Sequence, residues 1–135
     1  MPSQFQFVFG RVIQKENGQP VHGLLVKIRA VFGNAWQRRD DCKIDLGCVL
    51  TAADGRFVLT VDPSKIPEDC RCEGPMELRM KLRERDGTRI HKARLKVDDC
   101  SCSEGINFDV AVPAEELICH LNRPLSWAAP DKPFL

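Results

Sequence analysis

MELRMKLRER (residues 76–85) alternates without interruption: Met76, Leu78, Met80 and Leu82 fall on one side, and Arg79, Lys81, Arg83 and Arg85 on the other. A period of two is the signature of a β-strand with one buried face, since successive side chains point to opposite sides of the pleat. Asp86-Gly87 follows as a hairpin turn, and RIHKARLKV (residues 89–97) sets Lys92, Arg94 and Lys96 opposite Ala93, Leu95 and Val97. The two runs form a hairpin with one apolar and one cationic face. Such a hairpin is marginal alone and needs further strands against its apolar face.

The flanking sequence supplies them. Upstream, QFQFVFGRVIQ (4–14) reads as a strand, Glu16-Asn17-Gly18-Gln19-Pro20 as a turn, and VHGLLVKIRAVF (21–32) as a strand with Leu24, Val26, Ile28 and Ala30 on one face. After a polar loop holding Trp36, Arg38, Arg39, Asp40 and Asp41, the segments GCVLT (47–51) and RFVLTV (56–61) flank the turn Ala53-Asp54-Gly55. A long loop, 62–75, leads to the hairpin, and INFDVAV (106–112) is the last strand. Seven strands with turn signals about every ten residues predict an all-β sandwich. AEELICHL (114–121) follows Pro113 and opens with two carboxylates, which predicts a short helix. RPLSWAAPDKPFL (123–135) carries three prolines and reads as an extended tail, with Trp127 and Phe134 as docking residues. The expected organisation is a sandwich over 1–113 and a helix with docking tail over 114–135.

The 135 residues are one domain's worth, and 43% apolar and 29% charged content is ordinary for a globular protein. A net charge of +1 by itself implies neither nucleic acid nor membrane, and no apolar run reaches the ~18 residues of a spanning helix. The start, MPSQFQFVFGRV, does not read as a signal peptide. Seven cysteines then leave two addresses open: an oxidising compartment reached without a cleaved leader, or a reducing one with thiols free or bound to metal.

Gly10-x-Val12, Gly18-x-Pro20-Val21-x-Gly23-x-x-Val26 and Thr51-x-x-Asp54-Gly55-x-Phe57 together resemble the transthyretin-like and carboxypeptidase-regulatory-like domains. The resemblance implies a seven-stranded Greek-key β-sandwich that serves as a module for folding, binding or assembly, similar to domains of toxin- and secretion-associated proteins. The hydroxyisourate hydrolases of that family use histidines, an arginine and a terminal Tyr-Arg-Gly-Ser; this chain has no tyrosine and ends in Asp-Lys-Pro-Phe-Leu, which disfavours that activity. Pilin-like relatives cross-link a first-strand lysine to a late asparagine. Here Ile13 takes the lysine position, although Glu77 and Asn107 lie on plausible strands.

If seven strands run alternately up and down, every even-numbered connection falls at one pole. Cys42 then belongs to the second connection with Cys48 at the start of the strand that follows, Cys70 and Cys72 to the fourth, and Cys100 and Cys102 to the sixth, so that six cysteines are expected to meet there. Three readings of these six stay open. They are small hydrophobes; or disulfides stapling loop to loop, each adding about 2–4 kcal/mol; or a zinc site of Cys70, Cys72, Cys100 and Cys102. Cys-x-Cys is tighter than the usual spacing of structural zinc ligands, and Cys119 is left over. Asp40, Asp41, Glu68, Asp69, Glu73, Asp98, Asp99 and Glu104 surround the thiols, oppose thiolate formation, and are either solvated loop charges or ligands for a hard cation such as Ca²⁺.

The cationic face of the hairpin comprises Arg79, Lys81, Arg83, Arg85, Lys92, Arg94 and Lys96. It is either a solvated face or a surface for an anionic polymer, and no aromatic residue interleaves it to stack on bases. An acidic pole and a basic face on one near-neutral chain suit head-to-tail association of copies, and the aromatic start (Phe5, Phe7, Phe9) suits adding a strand to a neighbour. No nucleophile elbow, zinc-protease motif, P-loop or dinucleotide fingerprint is present, and His22, His91 and His120 sit on separate elements. The expectation is a non-enzymatic structural or interaction module with protein partners and no cofactor, with a thiolate zinc domain as the alternative.

Overall fold

The computed structural model describes residues 6–32, 43–65, 76–97 and 105–121. These residues form eight strands and one helix: β1 (Phe7–Gln14), β2 (Leu25–Phe32), β3 (Lys43–Leu50), β4 (Arg56–Thr60), β5 (Met76–Arg83), β6 (Arg89–Val97), β7 (Gly105–Asn107), β8 (Val110–Val112) and α1 (Ala114–Leu121). Two sheets face each other. The larger runs β3-β2-β5-β6, all antiparallel, and the smaller is built on β1, with β4 on one side and β7 and β8 on the other.

The core is what the alternation dictates. Val26, Ile28 and Ala30 of β2 and Leu78, Met80 and Leu82 of β5 are almost wholly buried, and they face Val8 and Val12 of β1 with Phe57 and Leu59 of β4. Each fully buried aliphatic side chain contributes about 1.5–3 kcal/mol of transfer free energy. Thr51, also buried, ties the sheets' margin: its Oγ1 accepts from the Leu24 N–H at 3.0 Å, and its own N–H donates to the Leu24 carbonyl. Helix α1 begins on a supplied acceptor, because Glu16 Oε1 takes the Ala114 N–H at 2.9 Å, one of the four donors a helix start leaves unpaired. Leu117 of α1 reaches the core, and His91 Nδ1 lies 3.1 Å from Glu116 Oε2.

Strand β2 starts at Leu25 rather than Val21, and two further elements depart from the sequence-based expectation. First, β3 starts at Lys43 rather than Gly47. Its register against β2 slips between Ile28 and Arg29, so Ile44 and Leu46 point inward before the slip and Gly47 and Val49 after it. Gly47 holds φ at +117° there, a conformation that favours glycine, and its N–H donates to Asp45 Oδ1 at 3.0 Å. A bulge of this kind breaks the alternation and hides the strand.

Second, the expected last strand over 106–112 is two strands. Both run parallel to β1, with Val8 opposite Ile106 and Val12 opposite Val110. Between them the Phe108 N–H donates to the Phe9 carbonyl at 2.7 Å, and Asp109 Oδ1, a side chain, accepts the Arg11 N–H at 3.0 Å. Gly10 allows this close crossing: a Cβ there would lie 2.1 Å from the Phe108 carbonyl oxygen.

Strand β1 is therefore paired on both sides. Its backbone has no free edge with which to add a strand to a neighbour, contrary to the expectation for the aromatic start. Phe7 and Phe9 point outward instead.

Candidate functional site

Pairing of β2 with β5 and of β5 with β6 turns a cationic hairpin into a broader cationic sheet. The register sets Lys27 beside Lys81 and Lys81 beside Lys92; the next row sets Arg29 beside Arg79 and Arg79 beside Arg94. Six cations thus occupy two adjacent rows of three. Neighbours in a row sit on strands about 4.8 Å apart, and the rows are about 6.8 Å apart along the strands. The six line one depression of about 190 Å³, together with Met80 and Ala93.

Two carboxylates enter ion pairs with this face among the described residues. Glu77 Oε1 accepts from Arg79 Nε at 2.7 Å, and Asp45 Oδ2 lies 3.6 Å from Lys27 Nζ. The remaining positive charge repels itself. Lys81's ammonium titrates below the usual 10.5 because packing strips its water and because Arg29, Arg83, Lys92 and Lys27 surround it.

Of the seven cations expected from sequence, Arg79, Lys81, Lys92 and Arg94 stand in the two rows. Lys96 lies opposite Glu77. Arg83 lies beyond a register shift after Leu82, where its Nε is buried with no hydrogen-bond partner. Arg85 does not belong to the face: β5 ends at Arg83, and Arg85 is exposed in the turn closed by the Glu84 N–H donating to the Thr88 carbonyl. Sequence reasoning missed Lys27 and Arg29. Their outward parity is readable, but the adjacency of β2 and β5 depends on a long crossover.

Of the six cysteines expected at one pole, Cys48 is the one among the described residues. Val31 pairs with Lys43, Phe32 with Met76, and Met76 with Val97, so strand ends bordering residues 33–42, 66–75 and 98–104 lie together at one end of the larger sheet. Cys42, Cys70, Cys72, Cys100 and Cys102 fall in those three segments, outside the described residues, as do Trp127 and Phe134 further on. Cys48 differs. With β3 starting at Lys43, it lies about 17 Å along the strand from that end, opposite Lys27, with an exposed free thiol. Among the described residues, no group of three or more His, Cys, Asp or Glu side chains could hold a metal ion.

Glu77 and Asn107 do not meet. Glu77 is buried on the larger sheet beside Arg79, and Asn107 is exposed on the smaller one, opposite Phe9. The outward face of the smaller sheet carries an apolar strip among polar neighbours, with Phe7, Phe9 and Val58 from 37% to 58% exposed, Phe9 and Val58 register partners, and Arg11, Arg56, Thr60 and Asn107 exposed around them.

No protein-family model and no curated relative matches the sequence. Solved structures do. A 9R-lipoxygenase from Cyanothece PCC8801 is similar over 82% of this chain at 18% identity and a TM-score of 0.52. The chain spans 17% of that lipoxygenase's length. A 5-hydroxyisourate hydrolase from Klebsiella pneumoniae matches over 80% of this chain and 91% of its own at 15% identity, TM-score 0.39. Transthyretin from Sparus aurata matches over 78% and 88% at 11% identity, TM-score 0.41. The fold is a two-sheet β-sandwich with a short C-terminal helix. At these identities the likeness is to the fold alone. No helix among the described residues is long and apolar enough to cross a membrane.

Proposed function

We propose that this sandwich is a non-enzymatic interaction module, a subunit or adaptor that associates through its outward sheet faces. The observation that carries the reading is the Phe9–Val58 pair with Phe7, an apolar strip on the outside of the smaller sheet where solvent-facing positions are ordinarily polar. The titratable side chains support it: His22 lies in the connection between β1 and β2, and His91 on β6 is paired with Glu116. A second copy of this chain fits the strip, because an apolar face covered by its own symmetry mate is the commonest way such a surface is buried.

Light scattering across concentrations tests this. The expected native mass exceeds the 15.2 kDa of one chain and falls to it in Val58→Asp, whose outward side chain leaves the core untouched. A monomer at every concentration, or association that Val58→Asp does not change, refutes the reading. Disulfide staples between connections enter this proposal through Cys42, Cys70, Cys72, Cys100 and Cys102, which lie outside the described residues and can form at most two bridges among themselves, Cys48 being a free thiol. Intact mass with and without alkylation, alongside zinc analysis, decides between staples and a thiolate zinc site.

A further inference from the structure

We infer that the two cation rows of the larger sheet, Lys27–Lys81–Lys92 and Arg29–Arg79–Arg94, form a docking surface for a linear phosphate polyanion. The argument begins with density. Along either row a cation recurs at each strand, about every 4.8 Å. A polypeptide offers same-face carboxylates about every 6.8 Å as a strand, or 5–6 Å apart on a helix, each a single charge. A phosphate chain is denser: even one strand of a DNA duplex carries a charge per about 3.4 Å of axis. Such a chain laid across the strands brings at least one charge to every cation it crosses.

The residue types point the same way. One row is entirely arginine, whose planar fork matches two oxygens of a phosphate at once, and the other is entirely lysine, a compact charge on a flexible stem. The depression between them is lined by cations of both rows, so an anion lying in it has positive charge on either side. Neither row contains an aromatic residue to stack a base, so recognition is of the phosphate chain. Two of the six cations are already engaged, by Asp45 and Glu77, and both carboxylates leave the centre of the face, Lys81, repelled on all sides. An anion relieves that repulsion. Lys81 then takes up protons on binding, and affinity falls as pH rises towards 10.5.

The surface is distinct from the apolar strip, so the two proposals fail separately. The test titrates the full chain into fluorescently labelled inorganic polyphosphate, followed by anisotropy between about 50 and 200 mM salt. Lys81→Gln with Lys92→Gln should weaken binding at least tenfold and reduce the salt dependence by about two ions. Lys15→Gln with Arg56→Gln, the same charge removed elsewhere on the surface, should leave affinity within twofold. Val58→Asp should leave it unchanged even where it abolishes association. Thermal melts establish that each variant is folded. Equal weakening by both double variants, or no binding at the lower salt, overturns the proposal. So does salt-sensitive self-association lost in Lys81→Gln/Lys92→Gln without polyphosphate binding, which would assign the face to protein carboxylates.

Discussion

The two sheets solve the same problem differently. In the larger, β2, β5 and β6 run side by side for eight or nine residues each, and main-chain pairing does nearly all the work. In the smaller, β1 is flanked by two three-residue strands, and the break between them is bridged by a side chain, the Asp109 carboxylate on the Arg11 N–H. The difference teaches where sequence pattern determines structure. A continuous ladder exposes its period to the reader. A ladder repaired by one carboxylate and one glycine keeps its period and hides its break.

The sharpest way to break this comparison is at Gly10. Gly10→Ala puts a methyl group where the Phe108 carbonyl oxygen lies and forces β1 away from the β7–β8 crossing. The expected loss is about 3 kcal/mol, as for an overpacked core, read as a lower denaturation midpoint with an unchanged slope. A loss under 1 kcal/mol would mean that the smaller sheet tolerates a shift of β1.

Asp109→Ala sharpens the comparison. It leaves the Arg11 N–H without its carboxylate acceptor, at an expected cost of about 1–2 kcal/mol. Asp109→Asn keeps an acceptor oxygen and should recover most of that. Equal costs for both would show that the charge, rather than the bond, matters here.

The smallest effect lies on the larger sheet. Lys81→Met removes a charge that its neighbours repel, and should stabilise the fold by about 0.5 kcal/mol at neutral pH. The sign follows from Lys81's lowered titration. Between its folded value and 10.5 the unfolded chain holds more protons, so wild-type stability rises with pH across that window. The advantage of Lys81→Met should shrink there and vanish above it. An advantage constant with pH would trace to packing instead.

Legibility followed the same division. The β5–β6 hairpin was readable from Met76 to Val97, because alternation is unbroken through β5 and from Lys92 to Val97, although the register shift after Leu82 was not. Helix α1 was readable from Pro113 and its two glutamates. The start of β3 was hidden by the bulge at Gly47, where Leu46 and Gly47 share a face. The break after Asn107 was hidden because Ile106, Phe108, Val110 and Val112 keep a perfect period across it. The site was half legible. Four cations of the hairpin were there to read, but Lys27 and Arg29 joined them only through the pairing of β2 with β5, across some fifty residues of chain.

The placement of β1 between β4 and the β7–β8 pair has a consequence for how the molecule is made. Arg11 waits for a partner 98 residues further along the chain. A nascent chain emerging from its amino end can close the larger sheet once Val97 is available, but β1 keeps one edge bare, with Phe7 and Phe9 beside it, until Val112 has been added. Contacts so distant in sequence are slow to form. The molecule's most vulnerable interval is therefore its last, and it ends when the final strand closes over the first.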